Sequence, residues 1–182
     1  MLMDRNNSLL LIIDVQERLA PAMDSPREVI NNTAKLLAVA QKLNIPFIIT
    51  EQYPKGLGPT MVDLRQIADN QKSYYEKLEF SCAKNDEIFK AIEASGKKQI
   101  IIAGIETHIC VTQTALDLKK RGYEVFVVSN ACSSRDALQN VLGLQRMSRN
   151  GIDVVSSEMV FFEWLEKAGS EEFKEISKKY IV

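Results

Sequence analysis

The chain has 182 residues, which is enough to bury a substantial core, and we expect one domain over residues 1–182. A hydrophobic fraction of 46% and a charged fraction of 26% are ordinary for a globular protein. The net charge of −1 gives no reason to expect nucleic acid or a membrane as a partner. The first apolar run, residues 9–13, is too short for a signal peptide or membrane span.

The cysteine and histidine counts restrict the possible chemistry. Three cysteines at irregular spacing do not form the pattern of a disulfide framework, which favours a reducing, cytoplasmic location, with import into an organelle left open. One histidine excludes a zinc or iron site built on several imidazoles. We expect neither a metal nor another cofactor.

In chain order, the first segments alternate between strand and helix patterns. Residues 8–13 are predicted as a buried strand that ends at Asp14, and residues 47–50 as a second strand. Between them, residues 25–28 have the sequence of a capping box with proline at the first helical position. Residues 51–60 contain two prolines and two glycines, so we predict an irregular loop with a functional role after the second strand.

The same alternation continues to the C-terminus. Helices are predicted over residues 64–68, 85–95, 111–121, 136–149, 158–167 and 171–179. Strands are predicted through residues 100–103, 124–129 and 152–155. Residues 74–80 have a mixed pattern, and residues 130–135 are predicted as a loop. Strands that are apolar throughout and alternate with helices are typical of a parallel sheet covered on both faces. We therefore predict a three-layer α/β fold.

Cys110 lies where a predicted strand passes into a helix, since Gly104 breaks the apolar run and helical periodicity starts at Val111. A helix N-terminus offers free N–H groups and the positive end of the helix dipole, which together favour a thiolate. The position suits a nucleophile, although a free cysteine can also be a small packing residue.

Asp14 and Lys77 are predicted at or near the same edge of the sheet as Cys110. A carboxylate beside a cysteine can take the thiol proton and later protonate a leaving amine. An ammonium group close to both would keep the carboxylate ionised and favour the thiolate. Without such neighbours, Lys77 would be an ordinary solvated lysine.

Three separated motifs occur in order along the chain: Ile12-Ile13-Asp14-Val15-Gln16, then Lys77 followed by Phe80-Ser81, then Gly104-Ile105-Glu106-Thr107-His108-Ile109-Cys110-Val111. Together they resemble the isochorismatase-like cysteine hydrolases, a superfamily that includes nicotinamidases and N-carbamoylsarcosine amidohydrolases. Residues 51–58 and 131–136 are most similar to its isochorismatase-domain-containing branch. The resemblance is collinear from Leu9 to about Ser157.

This resemblance implies an α/β/α Rossmann-like fold with a six-stranded parallel sheet in the order 3-2-1-4-5-6. It implies a catalytic triad of Asp14, Lys77 and Cys110. It also implies a cis peptide bond between Ile105 and Glu106, with the backbone N–H groups of Glu106 and Cys110 forming an oxyanion hole.

Two departures from the wider superfamily narrow the expected substrate. Nicotinamidases bind a metal through an aspartate and histidines after the second strand, whereas residues 51–58 contain no histidine. True isochorismatases lack the nucleophilic cysteine. Cys110 therefore indicates acyl transfer from a small amide, carbamoyl or related carbonyl compound, through a thioester that water resolves.

Two other functions stay open at this point. The chain could be a non-catalytic module that keeps the pocket to bind a metabolite or a protein. It could also be a thiol redox sensor based on Cys110, with Cys82 or Cys132 as the partner in a disulfide.

The pocket and the oligomeric state complete the expectations. Candidate pocket residues are Gln16, Tyr53, Phe80 and His108. The resemblance favours a homo-oligomer, a dimer or larger. The apolar cluster Val160-Phe161-Phe162 with Trp164 is predicted to form either its interface or part of the core.

Overall fold

A computed structural model describes residues 1–68 and 73–181. In this part of the chain the strands are β1 (Ser8–Ile13), β2 (Phe47–Gln52), β3 (Tyr74–Lys77), β4 (Gln99–Ile105), β5 (Glu124–Ser133) and β6 (Asp153–Val155). They form one six-stranded sheet in the order β3-β2-β1-β4-β5-β6, and every neighbouring pair is parallel. The predicted strand order and parallel arrangement are confirmed.

Helices connect the strands and cover both faces of the sheet. The α-helices are α1 (Pro26–Lys42), α2 (Pro54–Leu57), α3 (Val62–Arg65), α4 (Asp86–Ala94), α5 (Thr112–Lys120), α6 (Ala137–Arg149), α7 (Ser157–Leu165) and α8 (Glu171–Ile176). Short 3₁₀ turns lie at Ala20–Ala22 and Cys82–Lys84, and π-helical turns at Thr107–Val111 and Ser177–Ile181.

The central strand β1 is buried along its whole length. Leu10 and Ile12 pack on the face covered by α1, α3, α7 and α8, while Leu9, Leu11 and Ile13 pack on the face covered by α4, α5 and α6. Because successive side chains of a strand point to opposite faces, a strand covered on both sides must be apolar at every position. This burial is the reason that residues 9–13 form an unbroken apolar run.

Two predicted strand ends in the second half of the chain are wrong. β4 continues through Gly104 to Ile105, and β5 continues through most of the predicted loop at 130–135. Gly104 has φ +130°, and a Cβ atom there would lie 2.1 Å from the carbonyl oxygen of Ile13. The glycine does not end the strand, because its missing side chain is what lets β4 approach β1 at this point.

Two predictions in the first half of the chain also need correction. Ser25 precedes α1, and proline occupies the first turn as predicted, but the serine side chain makes no capping hydrogen bond. Its hydroxyl donates to Asp24 instead, so the capping box is not formed. Residues 51–60 are not wholly irregular, since β2 extends to Gln52 and the single-turn helix α2 follows.

The apolar cluster at residues 160–164 belongs mainly to the core. Val160, Phe161 and Trp164 are buried against the sheet, and the indole N–H of Trp164 donates to Ser8 Oγ at 3.0 Å. Phe162 is the half-exposed member and packs against Phe173. Three of the four side chains proposed for a subunit interface are therefore buried in the core of the same chain.

Across the described residues, the helices are too short or too polar to cross a membrane.

Candidate active site

The reactive side chains meet at the C-terminal edge of the sheet. Asp14 follows β1 directly, Lys77 is the last residue of β3, and Cys110 lies in the π-helical turn between β4 and α5. Ile13 of β1 pairs with Thr50 on one side and with Gly104 on the other. Since parallel strands end at the same edge, groups distant in sequence converge there.

Lys77 lies between the carboxylate and the thiol. Its Nζ is 2.6 Å from Asp14 Oδ2 and 3.7 Å from Cys110 Sγ. The Asp14 and Lys77 side chains are fully buried, and Cys110 is 6% exposed. The second carboxylate oxygen, Oδ1, accepts a hydrogen bond of 2.7 Å from the hydroxyl of Thr50. The structure therefore brings the three predicted residues into mutual contact.

Thr50 and Gln52 are site residues that the sequence analysis did not single out. Thr50 hydrogen bonds Asp14, and Gln52 Oε1 accepts a hydrogen bond of 2.6 Å from Lys77 Nζ. The available signal was their position at the end of the second strand, on the same edge of the sheet as Asp14. Polar residues at the end of an otherwise apolar strand are candidates for the site at that edge.

Burial controls the ionisation of this group of residues. It raises the pKa of Asp14 above its ordinary value, although the Lys77 ammonium and the Thr50 hydroxyl act to lower it. Burial alone would lower the pKa of Lys77, but the Asp14 carboxylate outweighs that effect and raises it. Lys77 is therefore an ammonium ion, and Asp14 is a stronger base than an exposed aspartate.

The thiol of Cys110 has a raised pKa, because burial and then the Asp14 carboxylate disfavour the thiolate more than Lys77 favours it. This corrects the expectation that the helix N-terminus would make Cys110 a thiolate at rest. With its pKa raised above the ordinary value, the Cys110 side chain is a neutral thiol at neutral pH. Burial also raises the pKa of Cys82 to about 11 and that of Cys132 to about 12.

A cavity of about 370 Å³ opens beside Lys77. Its lining residues are Tyr53, Pro54, Lys55, Glu76, Lys77, Leu78, Glu79 and Asn85. Lys77 both lines the cavity and contacts the thiol of Cys110, so the cavity is one side chain away from the candidate nucleophile.

The four candidate pocket residues occupy different environments. Tyr53 lines the cavity beside Lys77, and Phe80 is 54% exposed without being part of that lining. Gln16 is completely buried and hydrogen bonds the main chain of residues 52 and 58. His108 is partly buried, and its Nδ1 lies 2.9 Å from Ser134 Oγ.

The turn that carries Cys110 is tied to the end of β5. The peptide bond between Ile105 and Glu106 is cis. The Glu106 carboxylate accepts hydrogen bonds from the backbone N–H of Arg135 at 2.9 Å and from its Nε at 3.1 Å. The hydroxyl of Thr112, the first residue of α5, donates to the carbonyl oxygen of Thr107 at the start of the turn at 2.6 Å. Among residues 1–68 and 73–181, no three His, Cys, Asp or Glu side chains converge as a metal site.

Residues 8–159 match the family model of the isochorismatase domain. The chain belongs to the isochorismatase family. Isochorismatase domain-containing protein 2 of Xenopus laevis is 38% identical over 172 residues, which cover 94% of this chain and 82% of that protein. The resemblance inferred from the three motifs is thereby confirmed.

Solved structures of related proteins share the whole fold with this isochorismatase-family chain. The MAR1 ribonuclease of Caenorhabditis elegans superposes with a TM-score of 0.93 at 31% identity, over 100% of this chain and 93% of that one. YcaC of Pseudomonas aeruginosa, solved with hexane-2,5-diol and covalent acrylamide, has a TM-score of 0.92 at 28% identity, over 99% and 92%. The YcaC gene product of Escherichia coli, an octameric hydrolase of unknown specificity, has a TM-score of 0.93 at 27% identity, over 100% and 91%.

Proposed function

We propose that this member of the isochorismatase-like hydrolase superfamily is a cysteine hydrolase that cleaves a small amide, carbamoyl or related carbonyl compound. One observation carries the proposal: the Lys77 ammonium lies within 2.6 Å of the Asp14 carboxylate and 3.7 Å of the Cys110 thiol, away from solvent. A carboxylate, a cation and a thiol in contact are the groups that acyl transfer through a cysteine uses, and this supports the proposal.

In the proposed reaction, Cys110 Sγ attacks the carbonyl carbon of the substrate while Asp14 takes the thiol proton. The backbone N–H groups of Glu106 and Cys110 are proposed to donate to the carbonyl oxygen as it becomes negative. Asp14 then gives its proton to the departing amine, which leaves a thioester on Cys110. Water attacks the thioester with Asp14 again acting as base, and the carboxylic acid and the free thiol are released.

The ionisation states derived above support these roles. A neutral thiol needs a base in contact with it, and the raised pKa of Asp14 makes that carboxylate better suited to accept a proton. The ammonium of Lys77 remains charged throughout and compensates negative charge as it moves between oxygen and sulfur. A cavity of about 370 Å³ fits a small-molecule substrate rather than a polymer.

One of the related structures contains a covalently bound amide, which supports the proposed chemistry. Acrylamide is an unsaturated amide to which thiols add, and YcaC of P. aeruginosa holds it covalently. The ribonuclease function named for the C. elegans structure is not the one that we propose. The net charge of −1 gives this chain no general attraction for RNA phosphates.

Acrylamide and iodoacetamide labelling tests the nucleophile. We expect Cys110 to be alkylated at least about tenfold faster than Cys82 or Cys132 in the folded protein. The reason is that, of the three cysteines, Cys110 is the one whose thiol contacts the Lys77 ammonium and is proposed to pass its proton to Asp14. Peptide mapping by mass spectrometry gives the rate at each cysteine. Denatured protein is the control, since all three should then react alike.

The matching activity test compares the wild type with Cys110→Ser on a panel of small amides and carbamoyl compounds. Hydrolysis by the wild type that is lost in Cys110→Ser supports the proposed reaction. Labelling of Cys110 no faster than that of Cys82 would contradict it, and would favour a binding module that keeps the pocket.

We further propose that the chain forms a homo-oligomer through an apolar stripe on α6, consisting of Leu138, Val141 and Leu142. These side chains are 62%, 46% and 48% exposed, and their spacing places them on one side of the helix. The octameric state of E. coli YcaC supports self-association in this fold.

The three free cysteines are compatible with the cytoplasmic location that we also propose.

Leu142→Glu is expected to dissociate the oligomer, because a carboxylate in an apolar interface must be desolvated. Sedimentation velocity measures the oligomeric state. A protein concentration of about 10 µM is high enough for a complex with a dissociation constant in the micromolar range or below to form. Met159→Glu, at a similarly exposed position on α7, is the matched control and should leave the assembly intact. A wild-type monomer, or equal dissociation by both variants, would rule out the α6 interface.

A further inference from the structure

Gln52 occupies the third hydrogen-bonding position of the Lys77 ammonium. An ammonium group has three N–H donors and no acceptor. In this site they face Asp14 Oδ2 at 2.6 Å, Gln52 Oε1 at 2.6 Å and Cys110 Sγ at 3.7 Å. Each donor of the buried cation therefore has one partner, and Gln52 supplies the partner that takes no part in the proposed proton transfers.

The amide of Gln52 has one orientation that satisfies its surroundings. Its Nε2 donates to the carbonyl oxygen of Leu78 at 2.9 Å, which leaves Oε1 facing Lys77. The reverse orientation would set an N–H group against the ammonium and a carbonyl oxygen against another carbonyl oxygen. Gln52 and Lys77 are also register partners in the parallel pair of β2 and β3, so the sheet keeps them side by side.

Gln16 holds the main chain of Gln52 in place. It is completely buried, and its Oε1 accepts from the Gln52 N–H at 2.7 Å. Its Nε2 donates to the carbonyl oxygens of Gln52 at 2.9 Å and Gly58 at 2.8 Å. All three hydrogen bonds of the Gln16 side chain are made with the main chain of the segment that carries Gln52. These bonds explain why a glutamine can be completely buried two residues after Asp14.

We propose that Gln52 is a positioning residue that holds the Lys77 ammonium between Asp14 and Cys110, with Gln16 fixing Gln52 in turn. This inference rests on the proposed cysteine chemistry and adds to it a role for two residues outside the triad. Without Gln52 Oε1, one N–H of a buried cation lacks an acceptor. The ammonium then turns toward the cavity or loses its proton, and in both cases its hold on the developing thiolate weakens.

The variant Gln52→Met tests the proposal, because methionine keeps the approximate length of the side chain and removes the amide oxygen and nitrogen. We expect iodoacetamide to alkylate Cys110 about tenfold more slowly than in the wild type at pH 7.5. This rate corresponds to a rise of about one unit in the pKa of the Cys110 thiol. The whole profile of Cys110 alkylation against pH should move toward higher pH. Alkylation of Cys132 in the same sample should be unchanged, and serves as the internal reference for local opening of the fold.

Arg18→Met is the matched control, since Arg18 binds the same loop through the carbonyl oxygen of Gly56 but does not contact Lys77. It should leave the pH profile of Cys110 as in the wild type. If Gln52→Met is not folded at the assay temperature, Gln52→Asn replaces it, because its shorter amide cannot span the distance to Lys77.

The outcomes are distinguishable. Superimposable profiles for Gln52→Met and the wild type would overturn the positioning role while leaving the proposed hydrolase intact. An equal shift in Arg18→Met would overturn it as well, by assigning the effect to the loop. Wild-type Cys110 that reacts no faster than Cys132 would remove the proposed function, and this inference with it.

Discussion

Asp14→Asn is expected to slow the reactions of Cys110 by about 10²–10⁴-fold, the usual contribution of a positioned acid or base. The asparagine side chain can still accept a hydrogen bond from Lys77, but it cannot take the thiol proton. In the wild type, the rate should fall as the pH drops through the raised pKa of Asp14, since protonation removes the base. That acid limb, at a pH above the ordinary aspartate value of 3.8, should be absent from Asp14→Asn.

The same variant should also be less stable, by about 3–5 kcal/mol, because it leaves the buried Lys77 ammonium without its counter-ion. The double variant Asp14→Asn with Lys77→Met removes both charges together. We expect it to regain most of the lost stability and to remain as unreactive as the single variant. Urea denaturation measures the free energy of unfolding, and mass spectrometry measures alkylation of Cys110.

The pH profile of Asp14→Asn separates a catalytic role of Asp14 from a purely structural one. If Asp14 only stabilised Lys77, the acid limb would persist in Asp14→Asn, because the group that takes the thiol proton would still be present. Alkylation of Cys110 at the wild-type rate in Asp14→Asn would show that another group takes the proton.

Gly104→Ala is expected to destabilise the fold by about 3–5 kcal/mol, since two costs combine. The φ of +130° is unfavourable for any residue with a side chain, and the new Cβ would lie 2.1 Å from the backbone oxygen of Ile13. Backbone atoms at the centre of a sheet cannot move aside as a flexible side chain can. Relief of the clash requires β1 and β4 to separate next to Asp14.

The free energy of unfolding from urea denaturation, together with the yield of soluble protein, checks this expectation. Gly96→Ala is the matched control: it has φ +67°, but no heavy atom lies within 4 Å of the added Cβ. It should cost only about 1–2 kcal/mol of backbone strain. Equal losses of stability in the two variants would mean that the approach of β4 to β1 carries no cost of its own.

The failures of sequence-based prediction in this chain have identifiable physical reasons. Gly104 has the local signal of a strand end, because a glycine in an apolar run usually marks one, yet here it serves the close approach of two strands. The residues at 160–164 form an apolar cluster that suits either a core or an interface. Which of the two applies is decided by the helix face that meets the sheet, and the pattern alone does not specify it.

The sequence by itself determined the class of the fold and the order of the reactive groups. Continuous apolar runs that alternate with helical periodicity require a parallel sheet covered on both faces, and strand ends place Asp14 and Cys110 at one edge. The role expected of Lys77 came from the resemblance of motifs, because a lysine in a mixed segment has no local signal of its own.

Only the tertiary structure decided the charge and the partners of the site. Asp14 and Lys77 are 63 residues apart in sequence, and their contact removes both from water. The pKa of the Cys110 thiol depends on that burial and on neighbours from other strands, so the thiolate expected from its position at a helix N-terminus is a thiol in the folded chain. Thr50, Gln52 and Gln16 gain their roles in the same way, since a hydrogen bond between strands depends on register and depth, which local sequence does not encode.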